Sequence, residues 1–232
     1  MHEPDPFVLG VDIDGVLADY TYAFSVAVAA EKGIDHASLP TQTQWDFTEW
    51  GIESREDYEA LHQTAVLDHR LFLNCPVIQG AAEALWRLSD AGIWIRIITH
   101  RLPQNWGHAV AVSDTVQWLD NSGIPYRDLC FLGRKPEVEA DLYIDDAPHN
   151  VEALRRRGNR VIIFDQPYNR DLEGMRAGSW TEVEELVASQ MVESGNSFQT
   201  GLAGLDAAST RLATKLGTAK NDGAKNGDDT PE

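Results

Sequence analysis

The fold of this chain is decided by the stretch Phe7-Val-Leu-Gly-Val-Asp-Ile-Asp-Gly-Val16, an apolar run that ends in two acidic residues. In an extended strand, residues i and i+2 project to the same face, so Asp12 and Asp14 are expected to lie side by side where the strand ends. Neighbouring carboxylates repel, and each raises the pKa of the other unless a cation neutralises them. The pair therefore predicts a bound metal ion.

Length and charge limit the classes of function. The 232 residues, 43% of them hydrophobic, are enough to bury a substantial core, in one domain with an insertion or in two unequal domains. The formal net charge of −18 argues against binding to nucleic-acid polymers or anionic membranes, which requires clustered lysine and arginine. A small anionic substrate would need local positive charge, and a divalent cation would supply it.

The sequence also predicts a compartment. Cys75 and Cys130 form neither a disulfide framework nor a metal-ligand spacing, and the first six residues have no signal-peptide character. No apolar stretch approaches the roughly 18 residues that span a bilayer. We therefore expect a cytoplasmic protein, and the sequence leaves its oligomeric state open.

From about residue 79, short apolar runs alternate with amphipathic segments that end at glycine, which is typical of βαβ units around a parallel sheet. The runs predict strands over Phe7 to Val11, Ile93 to Ile98, Leu129 to Leu132, Leu142 to Ile144 and Val161 to Phe164. The segments between them predict helices over Ala81 to Ala91, Ala109 to Asn121 and Val151 to Arg157. A last helix is expected from Thr181, with Glu184 completing a capping box, to about Met191.

The interval 19–77 does not show this alternation of strand and helix patterns. It predicts a small, mostly helical insertion after the first strand. It contains a helical pattern from Tyr22 to Lys32, an aromatic loop, and a second helix that opens at Ser54. We therefore predict a core of residues 1–18 and 78–193 and a cap of residues 19–77. Residues 194–232, rich in small and polar residues, are predicted to be a flexible or disordered tail.

Polar residues follow the predicted strands. Because ligands bind beyond the carboxyl ends of parallel strands, residues from separate segments should meet there. They are Asp12 and Asp14 after the first strand, Thr99, His100 and Arg101 after the second, Lys135 after the third, and Asp145 and Asp146 after the fourth.

In this order, the motifs resemble those of the haloacid dehalogenase-like phosphohydrolases. Within that superfamily the chain looks most like the 5'(3')-deoxyribonucleotidases, through Asp12-Ile-Asp-Gly-Val-Leu-Ala-Asp19 with Tyr20, through Ala140-Asp-Leu-Tyr-Ile-Asp-Asp146, and through Ser179-Trp180. The resemblance covers roughly residues 7 to 190. It implies a Rossmann-like, three-layer α/β core with a parallel sheet and a small cap.

The resemblance also implies the roles of the motif residues. Asp12 would be the nucleophile that forms an aspartyl-phosphate, and Asp14 would be the general acid and base. Mg²⁺ would be held by the Asp12 carboxylate, the Asp14 backbone carbonyl and Asp145, with Asp146 as a partner behind them. Lys135 and the Thr99 hydroxyl would bind the phosphoryl oxygens.

Simpler interpretations remain open at this point. The acidic pairs are also compatible with a strand-end turn and with the cap of a helix, Lys135 with a solvated loop, and Thr99 with a bond to its own backbone. Arg101 either reaches a phosphate or sugar oxygen or forms a surface salt bridge. His100 is a candidate substrate contact beside Arg101, and it fits a structural or exposed position better than a catalytic one.

Substrate choice is expected to depend on the cap. Tyr20, Trp45, Phe47 and Trp50 could form an aromatic wall for a nucleobase, or they could form the small core of the insertion. Tyr20 is close enough to the first motif to border the site. The loop from Phe164 to Arg170 is interpreted as a plain turn.

Together with the resemblance, these residues predict a Mg²⁺-dependent phosphomonoesterase, and the resemblance implies nucleoside monophosphates, most of all deoxyribonucleoside monophosphates, as its substrates. A phosphatase for sugar phosphates or other small metabolites would use the same residues. A catalytically silent nucleotide-binding or scaffold protein is the alternative from another class.

Overall fold

Six parallel strands form one sheet at the centre of the structure, a computed structural model that describes residues 6–103 and 105–194. Their order across the sheet is β3-β2-β1-β4-β5-β6. The strands are β1 (Val8–Val11), β2 (Trp94–Thr99), β3 (Asp128–Phe131), β4 (Leu142–Asp145), β5 (Val161–Phe164) and β6 (Arg176–Ala177). The predicted α/β class with a parallel sheet is confirmed.

Helices connect these strands. They are α1 (Tyr20–Lys32), α2 (Arg55–Leu67), α3 (Leu71–Asn74), α4 (Ala81–Asp90), α5 (His108–Asn121), α6 (Pro148–Arg156) and α7 (Trp180–Glu193). Short 3₁₀ turns lie at His36–Ser38, Thr48–Trp50, Lys135–Glu137 and Pro167–Asn169. Helices α1, α2 and α3 lie between β1 and α4, in the interval for which the sequence predicts a mostly helical insertion.

The sheet is covered on both faces, as its apolar strands require. On one face, Leu9 and Ile95 belong to a large buried cluster with side chains of α4 and α7, such as Leu85 and Val183. On the other face, Ile98, Tyr143 and Ile163 pack with Val151 and Leu154 of α6. The alternation of side chains along each strand divides the apolar residues between these two layers.

Two predicted helix starts have different outcomes. Ser54 caps α2, since its hydroxyl accepts a 3.0 Å hydrogen bond from the Asp57 amide. The capping box predicted at Thr181 and Glu184 is wrong, because Ser179, two residues earlier, caps α7. Glu184 binds Arg87 instead, at 2.7 Å from Nε.

The early start of α7 follows from Trp180. Its ring is 1% exposed, and its Nε1 donates a 3.1 Å hydrogen bond to the carbonyl of Val16, directly after the two aspartates. This contact places the last helix against the loop that carries the acidic pair.

The sequence did not predict α3 and β6, which are only four and two residues long. Such short elements have too few positions to show a period. Of the predicted tail, residues 195–232 lie outside the described residues. Within the described part of the chain, no helix is both long enough and apolar enough to cross a membrane.

We expect Trp180→Ala to lower the free energy of unfolding by about 3–5 kcal/mol, because it removes a buried ring and leaves the Val16 carbonyl without its donor. Trp180→Phe keeps most of the packing and should lose less. Denaturant unfolding followed by circular dichroism measures both. The control is Val192→Ala on the same helix, where the side chain is 66% exposed. A similar loss for Val192→Ala and Trp180→Ala would contradict this explanation.

Candidate active site

The topology brings the predicted motif residues together. β2 and β3 lie on one side of β1, whereas β4, β5 and β6 lie on the other side. The strand order therefore reverses at β1, and a crevice opens beyond the carboxyl ends of β1 and β4. Asp12 follows β1, Thr99 ends β2, and Asp145 ends β4. All three are buried, with Asp12 the most exposed at 7%.

Lys135 lies between two of these carboxylates. Its Nζ is 2.5 Å from Asp12 Oδ2 and 2.7 Å from Asp145 Oδ2, and its side chain is 2% exposed. Burial by itself would lower the pKa of Lys135, but the two carboxylates outweigh burial and raise that pKa above its ordinary value. Lys135 is therefore a buried ammonium group, and the alternative of a solvated loop lysine is wrong.

Negative charge exceeds positive charge in this cluster. Burial, Asp145 and Asp14 raise the pKa of Asp12 to about 7, against the opposing effect of Lys135. Burial and the charges of Asp12 and Asp145 raise the pKa of Asp146 well above its usual range. Four carboxylates face two cations, Lys135 and Arg101, which leaves two excess negative charges when all are ionised. A divalent cation would balance them.

The carboxylates also have the arrangement of a cation site. Oxygens of Asp12, Asp145 and Asp146 lie within 4.8 Å of one another. Both oxygens of Asp145 have donors, since Oδ2 faces Lys135 and Oδ1 accepts from the Ala147 amide at 3.0 Å. Among the described residues, Asp146 Oδ1 is buried and no donor reaches it. This oxygen is available to a metal ion, so the residues present fit a hard cation such as Mg²⁺.

Asp146, which was predicted to lie behind the metal ligands, belongs to this cluster of carboxylates. Its second oxygen, Oδ2, accepts a short hydrogen bond from the Tyr168 hydroxyl, which leaves Oδ1 facing the cluster. Gly15 makes this approach possible. It has φ of 75°, and a Cβ there would overlap Asp146 Oδ2 and lie 2.8 Å from the Tyr168 hydroxyl.

Asp14 has a different partner from Asp12. Its side chain is 30% exposed and borders the cavity, while the buried Arg101 contacts both of its oxygens, with Nη2 2.6 Å from Oδ1. The predicted salt bridge of Arg101 therefore exists, but it lies inside the protein and not on its surface. The Thr99 hydroxyl accepts from the Arg101 amide at 3.1 Å, which is the local backbone bond considered for Thr99.

A cavity of about 230 Å³ lies above the carboxylates. Its floor is formed by strand-end residues, and its walls come largely from the interval 19–77. Its lining consists of Asp12, Asp14, Gly15, Tyr20, Thr21, Gln42, Trp45, Phe47, Tyr58, His62, Phe72, His100, Arg101, Asp146, Ala147, His149, Asn150 and Tyr168.

The four predicted cap aromatics separate into two groups. Tyr20, Trp45 and Phe47 line the cavity, and Trp45 is 46% exposed. Trp50 is 4% exposed, packs on Phe24 and Phe47, and donates from Nε1 to the Pro40 carbonyl at 2.8 Å. Trp50 belongs to the core of the insertion and is absent from the cavity lining, so its predicted substrate contact is wrong.

Sequence reasoning missed several lining residues, and three of them, Tyr58, His62 and Tyr168, had a detectable signal. Tyr58 and His62 are spaced i, i+4 on the predicted second helix, so they share one face. Their rings stack 5.4 Å apart at 10°. Tyr168 follows β5, and the rule applied to the other strand ends would have found it, whereas it was interpreted as part of a plain turn.

Three histidines, His62, His100 and His149, line the cavity, and their surroundings lower the pKa of each. Burial lowers the pKa of His62 to about 4, and burial with the charge of Lys135 lowers the pKa of His100 to about 4. His100 keeps part of its surface exposed to solvent, and the part that lines the cavity is desolvated by its neighbours. The wall around Tyr58 and His62 is therefore aromatic and uncharged.

Solved structures show the same fold. The chain is similar to a haloacid dehalogenase-like family hydrolase from Streptococcus pneumoniae, with a TM-score of 0.54 and 12% identity over 78% of this chain and 98% of that one. A haloacid dehalogenase-like hydrolase from Bacteroides fragilis aligns with a TM-score of 0.53 and 16% identity, over 77% of this chain and all of that one. At these identities the likeness concerns the fold, and it confirms the predicted haloacid dehalogenase-like core.

Sequence relatives define the family more narrowly. A protein of Chlorobaculum tepidum, predicted to be a 5'(3')-deoxyribonucleotidase, is 46% identical over 78% of this chain and 89% of its own length. A 5'(3')-deoxyribonucleotidase of Bacillus subtilis is 28% identical over 76% of this chain and 96% of its own length. The family described as 5' nucleotidase, deoxy (pyrimidine), cytosolic type C protein matches residues 6–192. This chain therefore belongs to the cytosolic type C deoxyribonucleotidase family.

Proposed function

We propose that this protein is a Mg²⁺-dependent phosphomonoesterase that hydrolyses deoxyribonucleoside monophosphates through an aspartyl-phosphate. One observation carries the proposal. At the floor of a cavity with aromatic walls, Asp12 is paired with Lys135, whereas Asp14 lies beside it with a separate partner, Arg101. The reaction needs one carboxylate as nucleophile and another as general acid at the same phosphorus atom, and the two ion pairs give these carboxylates different surroundings.

The first half-reaction transfers the phosphoryl group to the protein. An Asp12 carboxylate oxygen attacks phosphorus while the bond from phosphorus to the ester oxygen breaks. Asp14 donates a proton to that leaving oxygen, so the product departs as an alcohol. Lys135, 2.5 Å from Asp12, holds the nucleophile and offsets charge on the phosphoryl oxygens.

The second half-reaction restores the carboxylates. A water molecule attacks phosphorus of the aspartyl-phosphate, and Asp14, now ionised, accepts a proton from it. The bond between phosphorus and the Asp12 oxygen breaks, which releases inorganic phosphate. Because Asp14 is 30% exposed at the cavity surface, both the leaving group and the water can reach it.

Mg²⁺ would be held by Asp12, by the Asp14 backbone carbonyl and by the acidic pair after β4. Within that pair, Asp146 Oδ1 accepts no hydrogen bond, whereas both oxygens of Asp145 do. We therefore propose that Asp146 is a direct ligand and that Asp145 holds Lys135 in place. When bound, the ion would neutralise the excess carboxylate charge and withdraw electron density from the phosphoryl oxygens.

The nucleoside would occupy the upper cavity. Tyr20, Phe47, Tyr58 and His62 line it with aromatic, uncharged side chains, which suits an uncharged base and a sugar that lacks the 2'-hydroxyl. The names of the relatives support the same substrate class, and the cytosolic description of the family supports a cytoplasmic location.

We expect the purified protein to release phosphate from deoxyribonucleoside monophosphates with a higher kcat/KM than from ribonucleotides or sugar phosphates. Chelation by EDTA should abolish release, and Mg²⁺ should restore it. A phosphate-release assay over these three substrate classes makes the measurement. Asp12→Asn should be inactive, with Asp171→Asn, a change at an exposed aspartate, as the matched control. A preference for sugar phosphates would refute the substrate assignment, and no release from any ester would refute the enzyme.

Asp14→Asn should reduce turnover of a deoxynucleotide by about 10²–10⁴-fold, because an alkoxide leaving group needs a proton. With p-nitrophenyl phosphate, whose leaving group needs no proton, the loss in the phosphorylation step should be much smaller. Burst kinetics separate that step from hydrolysis of the aspartyl-phosphate. Equal losses of the phosphorylation rate with both esters would show that Asp14 is not the general acid.

Binding of Mg²⁺ should raise the Tm, because a ligand that binds only the folded state stabilises it. Asp146→Asn should remove most of this rise, since it replaces the proposed anionic ligand with a neutral amide. Differential scanning fluorimetry with and without Mg²⁺ detects the shift in the absence of substrate. Asp171→Asn is again the control, and an undiminished shift in Asp146→Asn would exclude Asp146 as a ligand.

A further inference from the structure

We propose that Arg101 is a positioning residue that holds the Asp14 carboxylate in place for proton transfer. This inference rests on the proposed function, because Asp14 needs a fixed position only if it transfers a proton. Arg101 was considered above for substrate binding or a surface salt bridge. The structure indicates a third role, because the Nε and Nη2 atoms of Arg101 both contact the Asp14 carboxylate.

The fork of the guanidinium is directed at Asp14. Arg101 Nε is 3.0 Å from Oδ1 and 3.1 Å from Oδ2, and Nη2 is 2.6 Å from Oδ1. The arginine side chain has no exposed surface, whereas Asp14 retains 30% exposure. A guanidinium that contacts both oxygens from one side fixes the plane of the carboxylate more strictly than a single donor does. The open side of Asp14 is left for the substrate.

Arg101 is itself held by groups other than Asp14. Its Nη1 donates to the Phe72 carbonyl at 3.2 Å. The guanidinium carbon lies 4.6 Å from the centre of the Phe72 ring and 5.3 Å from that of Trp118. Because α3, α5 and the end of β2 all contribute to this cage, the position of Arg101 does not depend on Asp14. The arginine can therefore act as the fixed member of the pair.

The pair also keeps the two catalytic carboxylates apart. Lys135 binds Asp12 and Asp145, whereas Arg101 binds Asp14, so the nucleophile and the acid have separate cationic partners. Arginine remains protonated at any pH at which the protein is folded, so it neither accepts nor donates the catalytic proton. When Asp14 gives its proton to the leaving oxygen, the anion that forms faces a preorganised positive charge.

The test is a double-variant cycle with Arg101→Gln and Asp14→Asn. If Arg101 acts through Asp14, Arg101→Gln should reduce turnover of a deoxynucleotide by about tenfold or more in the wild-type background, within the range that general acid catalysis contributes. In the Asp14→Asn background the same change should cost less than about threefold, since residues that act as a unit are not additive. Additive losses would overturn the proposal.

The leaving group supplies a second readout that a purely structural role would not move. Arg101→Gln should slow phosphorylation by a deoxynucleotide much more than by p-nitrophenyl phosphate. Arg101→Lys keeps the charge without the fork, so it should recover only part of the activity. An equal loss with both esters, at unchanged circular dichroism, would mean that Arg101 supports the fold and not proton transfer.

The contact can also be measured by unfolding. The Tm loss of the double variant should be smaller than the sum of the two single losses, because the variants share one interaction. If the wild-type protein releases phosphate and the two Tm losses are additive, Arg101 does not hold Asp14, although the proposed function stands. If the wild-type protein hydrolyses no ester, the proposed function fails, and the role of Arg101 fails with it.

Discussion

A buried ammonium group between two carboxylates organises the active site. Removing such ions from water costs several kcal/mol for each ion, so Lys135 stays charged only because Asp12 and Asp145 both lie within 2.7 Å of it. This contact joins three segments of the chain, since Asp12 follows β1, Lys135 follows β3 and Asp145 ends β4. The order of the sheet and the position of Asp12 therefore depend on one another.

The second pair, Arg101 with Asp14, connects the core to the insertion. Arg101 lies after β2 but contacts the Phe72 carbonyl in α3, within the interval 19–77. The buried side chain of Arg101 thus contacts both Phe72 in the cavity wall and Asp14, which also lines the cavity. A change in the packing of α3 would reach the Asp14 carboxylate through Arg101, so the cavity wall and Asp14 are physically connected.

Much of the fold was predictable because the strands are buried on both faces and read as continuous apolar runs. β5 was predicted at Val161 to Phe164, where the structure has it. The start of α7 was predicted at the wrong residue, because Trp180 is fixed by a distant contact with the Val16 carbonyl that no local pattern contains. Trp50 and Phe47 are aromatic residues of one loop that are both buried in the core, and only tertiary packing decides that Phe47 also lines the cavity.

The sequence by itself determined the parallel sheet, the order of the motifs and the acidic pair, since these depend on residue type and on periods of a few residues. The tertiary structure decided which charges pair. Lys135 contacts Asp12, Arg101 contacts Asp14, and Asp146 keeps one oxygen free. The physical reason is that ion pairing in a buried site depends on distance and desolvation, and both are set by segments that are far apart along the chain.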